Sequence, residues 1–294
     1  MQRLAFLPLV AGIVACNYVG NDDDAPVWEL VWEEEFNGDA GEPPRDRFWS
    51  FDIGRGDNGW GNNELQYYTD RSENIGLTGN SELRITSLAE DPGQEAFENA
   101  EWTSARITTK DKFDFQYGRV LASIKTPVDR AIWPAFWMLG ADIDDVGWPV
   151  AGEIDIMEVF GVRSLGVALH GPFYSGGNNV GFEYLVDAQL EGYAEDFHTY
   201  ELIWDPQQVM WLIDDNIVAI ATQNDTPPFS PWVFDHPFYF LLNMAVGGNP
   251  VQAPDDTTPE TAEMLVDFIR VFERREPLLD PFPFDPEPLP QEAE

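Results

Sequence analysis

Short runs of alternating, β-branched and aromatic residues recur along the chain, at 28–36, 81–88, 102–108, 117–125, 153–160, 165–170, 199–204, 209–213, 217–222, 238–246 and 264–273. Almost no stretch carries a helical period. Turn residues separate the runs, among them Asp205-Pro206, Asp214-Asp215-Asn216 and Gly247-Gly248-Asn249-Pro250. Such a chain can bury its apolar faces only by packing sheet on sheet. The pattern therefore predicts an all-β, β-jelly-roll sandwich, with 199–222 as a three-stranded meander. The supply of apolar residues is sufficient for one large core, at 44% hydrophobic and 14% aromatic over 294 residues.

The two ends read differently. Residues 1–16, MQRLAFLPLVAGIVAC, place one charge at Arg3 before an apolar run from Leu4 to Val14, which is too short for a permanent bilayer span. The run ends at Cys16, the single cysteine of the chain, and resembles a bacterial lipoprotein signal. That resemblance implies a signal peptide at 1–15, lipidation of Cys16, an acidic tether at 16–27 and attachment to the cell envelope, at the outer membrane or cell surface. Plain secretion is the alternative. Residues 276–294, rich in Pro and Glu, read as an extended tail. The folded domain is expected at 28–275, acting as a monomer.

Charge narrows the choice of partner. The chain has 53 Asp and Glu against 16 Lys and Arg, a net charge of −37. Phosphate backbones repel such a surface, so nucleic-acid binding is excluded. Excess carboxylate also suits a salt-rich habitat, where ions screen self-repulsion; an acidic surface kept for solubility is the alternative. One cysteine excludes an internal disulfide and cysteine-rich zinc sites.

The segment Gly152–Phe160, GEIDIMEVF, carries the chemistry. Strict alternation would put Glu158 among the buried isoleucines, an expensive place for a carboxylate. A β-bulge near Ile156-Met157 resets the alternation and returns Glu158 to the face of Glu153 and Asp155. Glu153 and Glu158 then lie about 13 Å apart at Cα, and inward lean brings their carboxyl groups to about 5–7 Å. That span covers both retaining and inverting glycoside hydrolysis. A solvated acidic strand remains the alternative on spacing alone.

The strand resembles the active-site strand of glycoside hydrolase family 16, the laminarinase-type endo-β-glucanases, whose signature is E-[I/L]-D-x-x-E. Further segments match in the family's order, among them 59–69 (GWGNNELQYYT), 103–109 (TSARITT), 133–140 (WPAFWMLG), 169–177 (LHGPFYSGG), 197–204 (FHTYELIW) and 242–249 (LNMAVGGN). The resemblance spans nearly all of 28–275. It implies a jelly roll with a substrate cleft across one concave sheet and retaining, internal cleavage of β-1,3-glucan. It further implies Glu153 as nucleophile, Glu158 as general acid/base and Asp155 as supporting carboxylate. Trp133 and Trp137 match the substrate side of the family cleft, and Trp148 flanks the strand; their ring faces can stack on sugars. Asn62, Glu64 and Arg106 can hydrogen-bond hydroxyls, with a structural ion pair the alternative for the last two. His170, following the strand, is expected beside Glu158, with a satisfied structural histidine the alternative, and His198 is read as structural. Many family members carry one structural calcium away from the chemistry. The matching positions are Glu35, through its backbone, and Asp267. The loops at 142–150 and 174–181 are expected to set how open the cleft is. A hydrolase or transglycosylase of mixed-linkage glucan or galactan, and a non-catalytic glucan-binding surface protein, remain alternatives.

Overall fold

The computed structural model describes residues 27–91, 93–172, 182–186, 191–226 and 229–275. The expected signal peptide, Cys16, nearly all of the tether, the loop at 174–181 and the tail at 276–294 lie outside these residues. Two sheets face each other across one core. The first runs in the order β12 (Phe182–Val186), β11 (Leu165–His170), β10 (Glu153–Val159), β9 (Ile132–Gly140), β16 (Phe238–Val246), β7 (Arg106–Thr108) and β2 (Ser50–Asp52). The second runs β15 (Asn216–Thr222), β14 (Gln208–Ile213), β13 (His198–Trp204), β8 (Gly118–Lys125), β17 (Thr261–Arg274), β5 (Leu83–Ala89), β6 (Trp102–Ser104) and β3 (Tyr67–Tyr68). In that sheet β1 (Trp28–Glu34) also pairs with β17, and β4 (Ile75–Leu77) with β5. The expected sandwich and the antiparallel meander β13–β14–β15 are both present.

The core is the seam between the sheets. Phe136, Met138, Ile154, Ile156 and Met157 from the first sheet meet Val120, Trp204, Trp211 and Val271 from the second, all essentially inaccessible. Alternation along β9 then turns Trp133, Ala135, Trp137 and Leu139 to the opposite, solvent side. The sheet order sets β9 between β10 and β16, so the outer face of this sheet collects side chains from several strands.

The short strands β2, β3, β4 and β12 lie outside the expected runs, and two further departures bear on the site. The single run at 102–108 is two strands, because at Ala105 the chain leaves the second sheet (β6) and enters the first (β7). Strand β9 is absent from the alternating runs. Pro134 and two tryptophans interrupt its β-branched signature, and a proline ordinarily marks an edge strand. Nevertheless β9 pairs along its length with β16 on one side and, over residues 135–139, with β10 on the other, so Pro134 falls just outside the second pairing.

Candidate active site

Strand β10 follows Gly152, whose φ of +76° only a glycine adopts without strain. Against β11 the register runs Glu153–His170, Ile154–Leu169, Asp155–Ala168 and then Glu158–Gly166. Three residues on β10 therefore span two on β11. Against β9, Asp155 faces Trp137 while Met157 faces Phe136, which isolates Ile156 as the extra residue. This is the expected bulge. It sends Ile154, Ile156 and Met157 into the core and leaves Glu153, Asp155 and Glu158 on the outer face. A bulge also disrupts the local ladder, and here the buried indole of Trp211, on the opposite sheet, donates to the Asp155 carbonyl at 2.9 Å. Small neighbours keep room above the carboxylates: Ala135 and Gly166 oppose Glu158, and Ala168 opposes Asp155.

A cleft of about 1120 Å³ lies over this face, and every residue read as catalytic or substrate-binding lines it: Glu153, Asp155, Glu158, Trp133, Trp137, Trp148, Asn62, Glu64, Arg106 and His170. The glutamates have different partners. Trp133 Nε1 donates to Glu158 Oε1 at 3.0 Å, and Trp148 Nε1 donates to Glu153 Oε2 at 3.1 Å. His170 Nε2 lies 3.1 Å from Asp155 Oδ2 and 3.7 Å from Glu153 Oε1.

Electrostatics follows from this geometry. Burial and then the Asp155 charge push the Glu153 carboxyl up to about 7, with His170 and the Trp148 hydrogen bond opposing. Glu158 is raised further in the same direction by burial, Asp155 and Glu153, against His170 and Trp133. Burial works against a charged His170, but its contact with Asp155 and the charges of Glu153, Asp155 and Glu158 outweigh it, pushing the imidazole up to about 10. The centre is thus an imidazolium set among carboxylates, one of which holds its proton more firmly than the others.

Away from the carboxylates the same face is aromatic. The Arg106 guanidinium lies 4.4 Å from the Trp60 ring centroid and 5.0 Å from that of Trp137, with Nε donating to Asp52 at 2.8 Å. Trp60 has φ of +52°, unusual for a bulky residue, and its ring packs over Gly56, where an added Cβ would lie 2.6 Å from it. Trp60, Asn243 and Asn249 line the cleft but were not singled out in the sequence. A signal for Asn243 existed: it is the one polar residue in the apolar run of β16, and buried polar groups need partners. Glu64 is buried; its Oε2 accepts from Gln66 and Tyr68, while its Oε1 lies 3.5 Å from Asn62 Nδ2. His198 pairs with Asp214 outside the cleft, in keeping with a structural role.

The two calcium positions are neighbours through the β1–β17 register, in which Glu34 pairs with Ile269 and Glu33 with Arg270. Arg270 takes both Glu35 carboxylate oxygens, at 2.6 and 2.9 Å, which leaves the Glu35 backbone carbonyl as its donor. The Asp267 carboxyl is raised by burial and by Glu35 and Glu82, surroundings that a cation would relieve. Among the described residues the tightest set of ligating side chains is instead Glu153, Asp155 and His170; as an imidazolium, His170 has both ring nitrogens protonated and no lone pair for a metal.

Comparison with known proteins agrees with this geometry. Residues 58–267 match the model of glycosyl hydrolases family 16. The chain is 36% identical over 288 residues to a β-glucanase of Rhodothermus marinus, covering 92% of this chain and 94% of that protein. Its structure is similar to the catalytic domain of an endo-1,3-β-glucanase (laminarinase) from Thermotoga petrophila RKU-1, with TM-score 0.77, 40% identity, and coverage of 86% of this chain and 100% of the other. It is similarly close to the endo-β-1,3-glucanase of Pyrococcus furiosus, with TM-score 0.77, 38% identity, and coverage of 85% and 96%. With the bulged acidic strand, its cleft and these relatives in agreement, the chain belongs to glycosyl hydrolase family 16.

Proposed function

We propose that this enzyme hydrolyses β-1,3-glucan of the laminarin type internally and with retention. The observation that carries the reading is the pair Glu153 and Glu158 on one face of a bulged strand, each hydrogen-bonded by its own indole. Glu158, raised furthest, holds a proton to give to the glycosidic oxygen. Glu153, ionised, attacks the anomeric carbon as the bond to that oxygen breaks, forming a glycosyl-enzyme. Glu158, now a carboxylate, takes a proton from water; the resulting hydroxide attacks the same carbon and Glu153 departs with its electron pair. His170 and Trp148 keep Glu153 ionised more readily than its burial alone would allow. Trp133 and Trp137 supply ring faces for the sugars, and no cofactor takes part.

The test is reducing-sugar release from laminarin, lichenan and agarose by residues 28–275, beside Glu153→Gln and Glu158→Gln. Activity on laminarin abolished by both substitutions supports the reading. Activity confined to lichenan or agarose replaces the substrate, and binding without cleavage replaces the enzyme with a glucan-binding protein.

Three further properties belong to the same proposal. Cys16 at the end of its apolar run supports a lipid-anchored, extracytoplasmic enzyme; metabolic labelling with a palmitate analogue that Cys16→Ala leaves unchanged would overturn this. Glu35 and Asp267 support a calcium that stabilises the fold without entering the chemistry, so EDTA should lower Tm and calcium restore it. The net charge of −37 supports function in high salt, so activity and Tm should rise together with NaCl.

A further inference from the structure

A chain of hydrogen bonds runs from the cleft into the protein beneath it. Trp137 Nε1 donates to Asn243 Oδ1 at 2.7 Å, and Asn243 Nδ2 lies 3.2 Å from the Tyr68 hydroxyl. That hydroxyl lies 3.1 Å from Glu64 Oε2, which also accepts from Gln66 Nε2 at 2.6 Å. Gln66 Oε1 in turn accepts the Val246 backbone N–H at 2.8 Å, on the same strand as Asn243. Every direction is fixed. An indole can only donate, so Asn243 must present its oxygen to Trp137 and its NH₂ to Tyr68. Tyr68 then accepts from Asn243 and has its own proton for Glu64. Glu64 is left as the terminal acceptor; burial raises its carboxyl, opposed in part by the Gln66 hydrogen bond and the Arg106 charge. Tyr68, Gln66, Glu64 and Asn243 are all buried; Glu64 and Asn243 lie in the cleft wall with Trp137, while Tyr68 and Gln66 sit behind it.

We infer that Tyr68 and Glu64 are positioning residues for glucan binding, acting through Asn243 to hold the Trp137 ring at a set tilt. The cation face of Arg106 constrains that ring from one side, and the Asn243 bond fixes its rotation about the remaining axis. Glu64 thereby anchors the relay through its Oε2. Tyr68 is well suited to the link because it belongs to the second sheet and its hydroxyl reaches Asn243 on β16 of the first.

This inference rests on the glucanase reading, and a double-mutant cycle separates the two. Dissociation constants for β-1,3-gluco-oligosaccharides are measured by calorimetry in the Glu158→Gln background for Tyr68→Phe, Trp137→Phe and the pair. Tyr68→Phe is expected to weaken binding about five-fold, the scale of one lost hydrogen bond. In the Trp137→Phe background, where no indole N–H is left to orient, the same substitution should have no further effect. With Glu158 restored, Tyr68→Phe should raise KM for laminarin and leave kcat and the pH profile within about two-fold. Additive losses in the cycle, or a change in kcat alone, would overturn the relay. If Tyr68→Phe does not fold, Asn243→Leu takes its place in the same cycle with the same two outcomes. Failure of the wild-type enzyme to cleave any β-1,3-glucan would instead sink the functional reading and leave the relay to be judged by binding alone.

Discussion

Replacing His170 by Gln removes a positive charge from the centre of the site while keeping a side-chain N–H for Asp155. The imidazole Nε2 lies 3.7 Å from Glu153 Oε1. At an effective dielectric constant of about 20, two unit charges at that separation attract by about 4.5 kcal/mol, equivalent to about 3 pH units. Both side chains keep some contact with solvent, 26% for His170 and 17% for Glu153, so about half of that is the working figure. The sign is unambiguous: losing a cation disfavours the carboxylate and raises the Glu153 pKa above its value of about 7. The assay is kcat/KM for soluble laminarin between pH 4 and 10, which reports groups of the free enzyme. The acidic limb should move up by about 1.5 units, and at pH 6 the variant should lose about thirty-fold. At high pH the loss should shrink, because the variant's Glu153 is then ionised. An acidic limb that stays within about 0.3 unit of wild type, with activity lost evenly at all pH values, would refute a charge role for His170.

The same proton has a thermodynamic consequence. His170 is raised from an unfolded value near 6.5 to about 10, so its stabilisation is complete below pH 6.5 and is lost as pH rises towards 10. Unfolding free energy should fall by up to about 1.4 kcal/mol per pH unit across that window, and His170→Gln should flatten the slope in urea melts. Trp211→Phe leaves the Asp155 carbonyl without its indole donor at the bulge, so it should cost about 1–3 kcal/mol in urea unfolding and lower kcat. Glu158→Gln should lose about 10²–10⁴-fold on laminarin yet form the glycosyl-enzyme from an aryl glycoside whose phenolate leaves without protonation, seen as a burst of phenolate; no burst would remove Glu158 from the acid role. Trp148→Phe deletes one hydrogen bond to Glu153 and should move the acidic limb up by less than His170→Gln does.

The parts of the site legible in the sequence are those governed by alternation. Glu158 betrays the bulge because a carboxylate among isoleucines is too costly, and the register confirms the insertion at Ile156. His170 is legible only by its place after the acidic strand. Its contacts with Asp155 and Glu153 need the antiparallel pairing with β11, a tertiary fact. Trp60 escaped because its position depends on positive φ angles through 58–61, where no periodicity operates. Strand β9 escaped because Pro134 marks an edge, and the β10 pairing that makes the strand central begins only at Ala135, a tertiary fact. The break of the 102–108 run at Ala105 is invisible to a pattern that is the same on both sheets. Glu64 shows the converse: its residue type suggested a sugar ligand, and only its buried partners show that its Oε2 is already engaged.

Strand β17 has an implication for how this protein comes into being. It is the last strand of the described chain, yet it sits inside its sheet, with β8 along one side and β5 and then β1 along the other. Trp28, at the start of the first strand, pairs with Arg274, near the end of the last. During translation the second sheet therefore lacks its middle until nearly the whole domain has left the ribosome, and pairings of such large sequence separation form slowly. Vectorial synthesis cannot assemble this sandwich strand by strand; a nascent chain stopped short of residue 261 holds two unjoined halves of a sheet, and closure is a single late event.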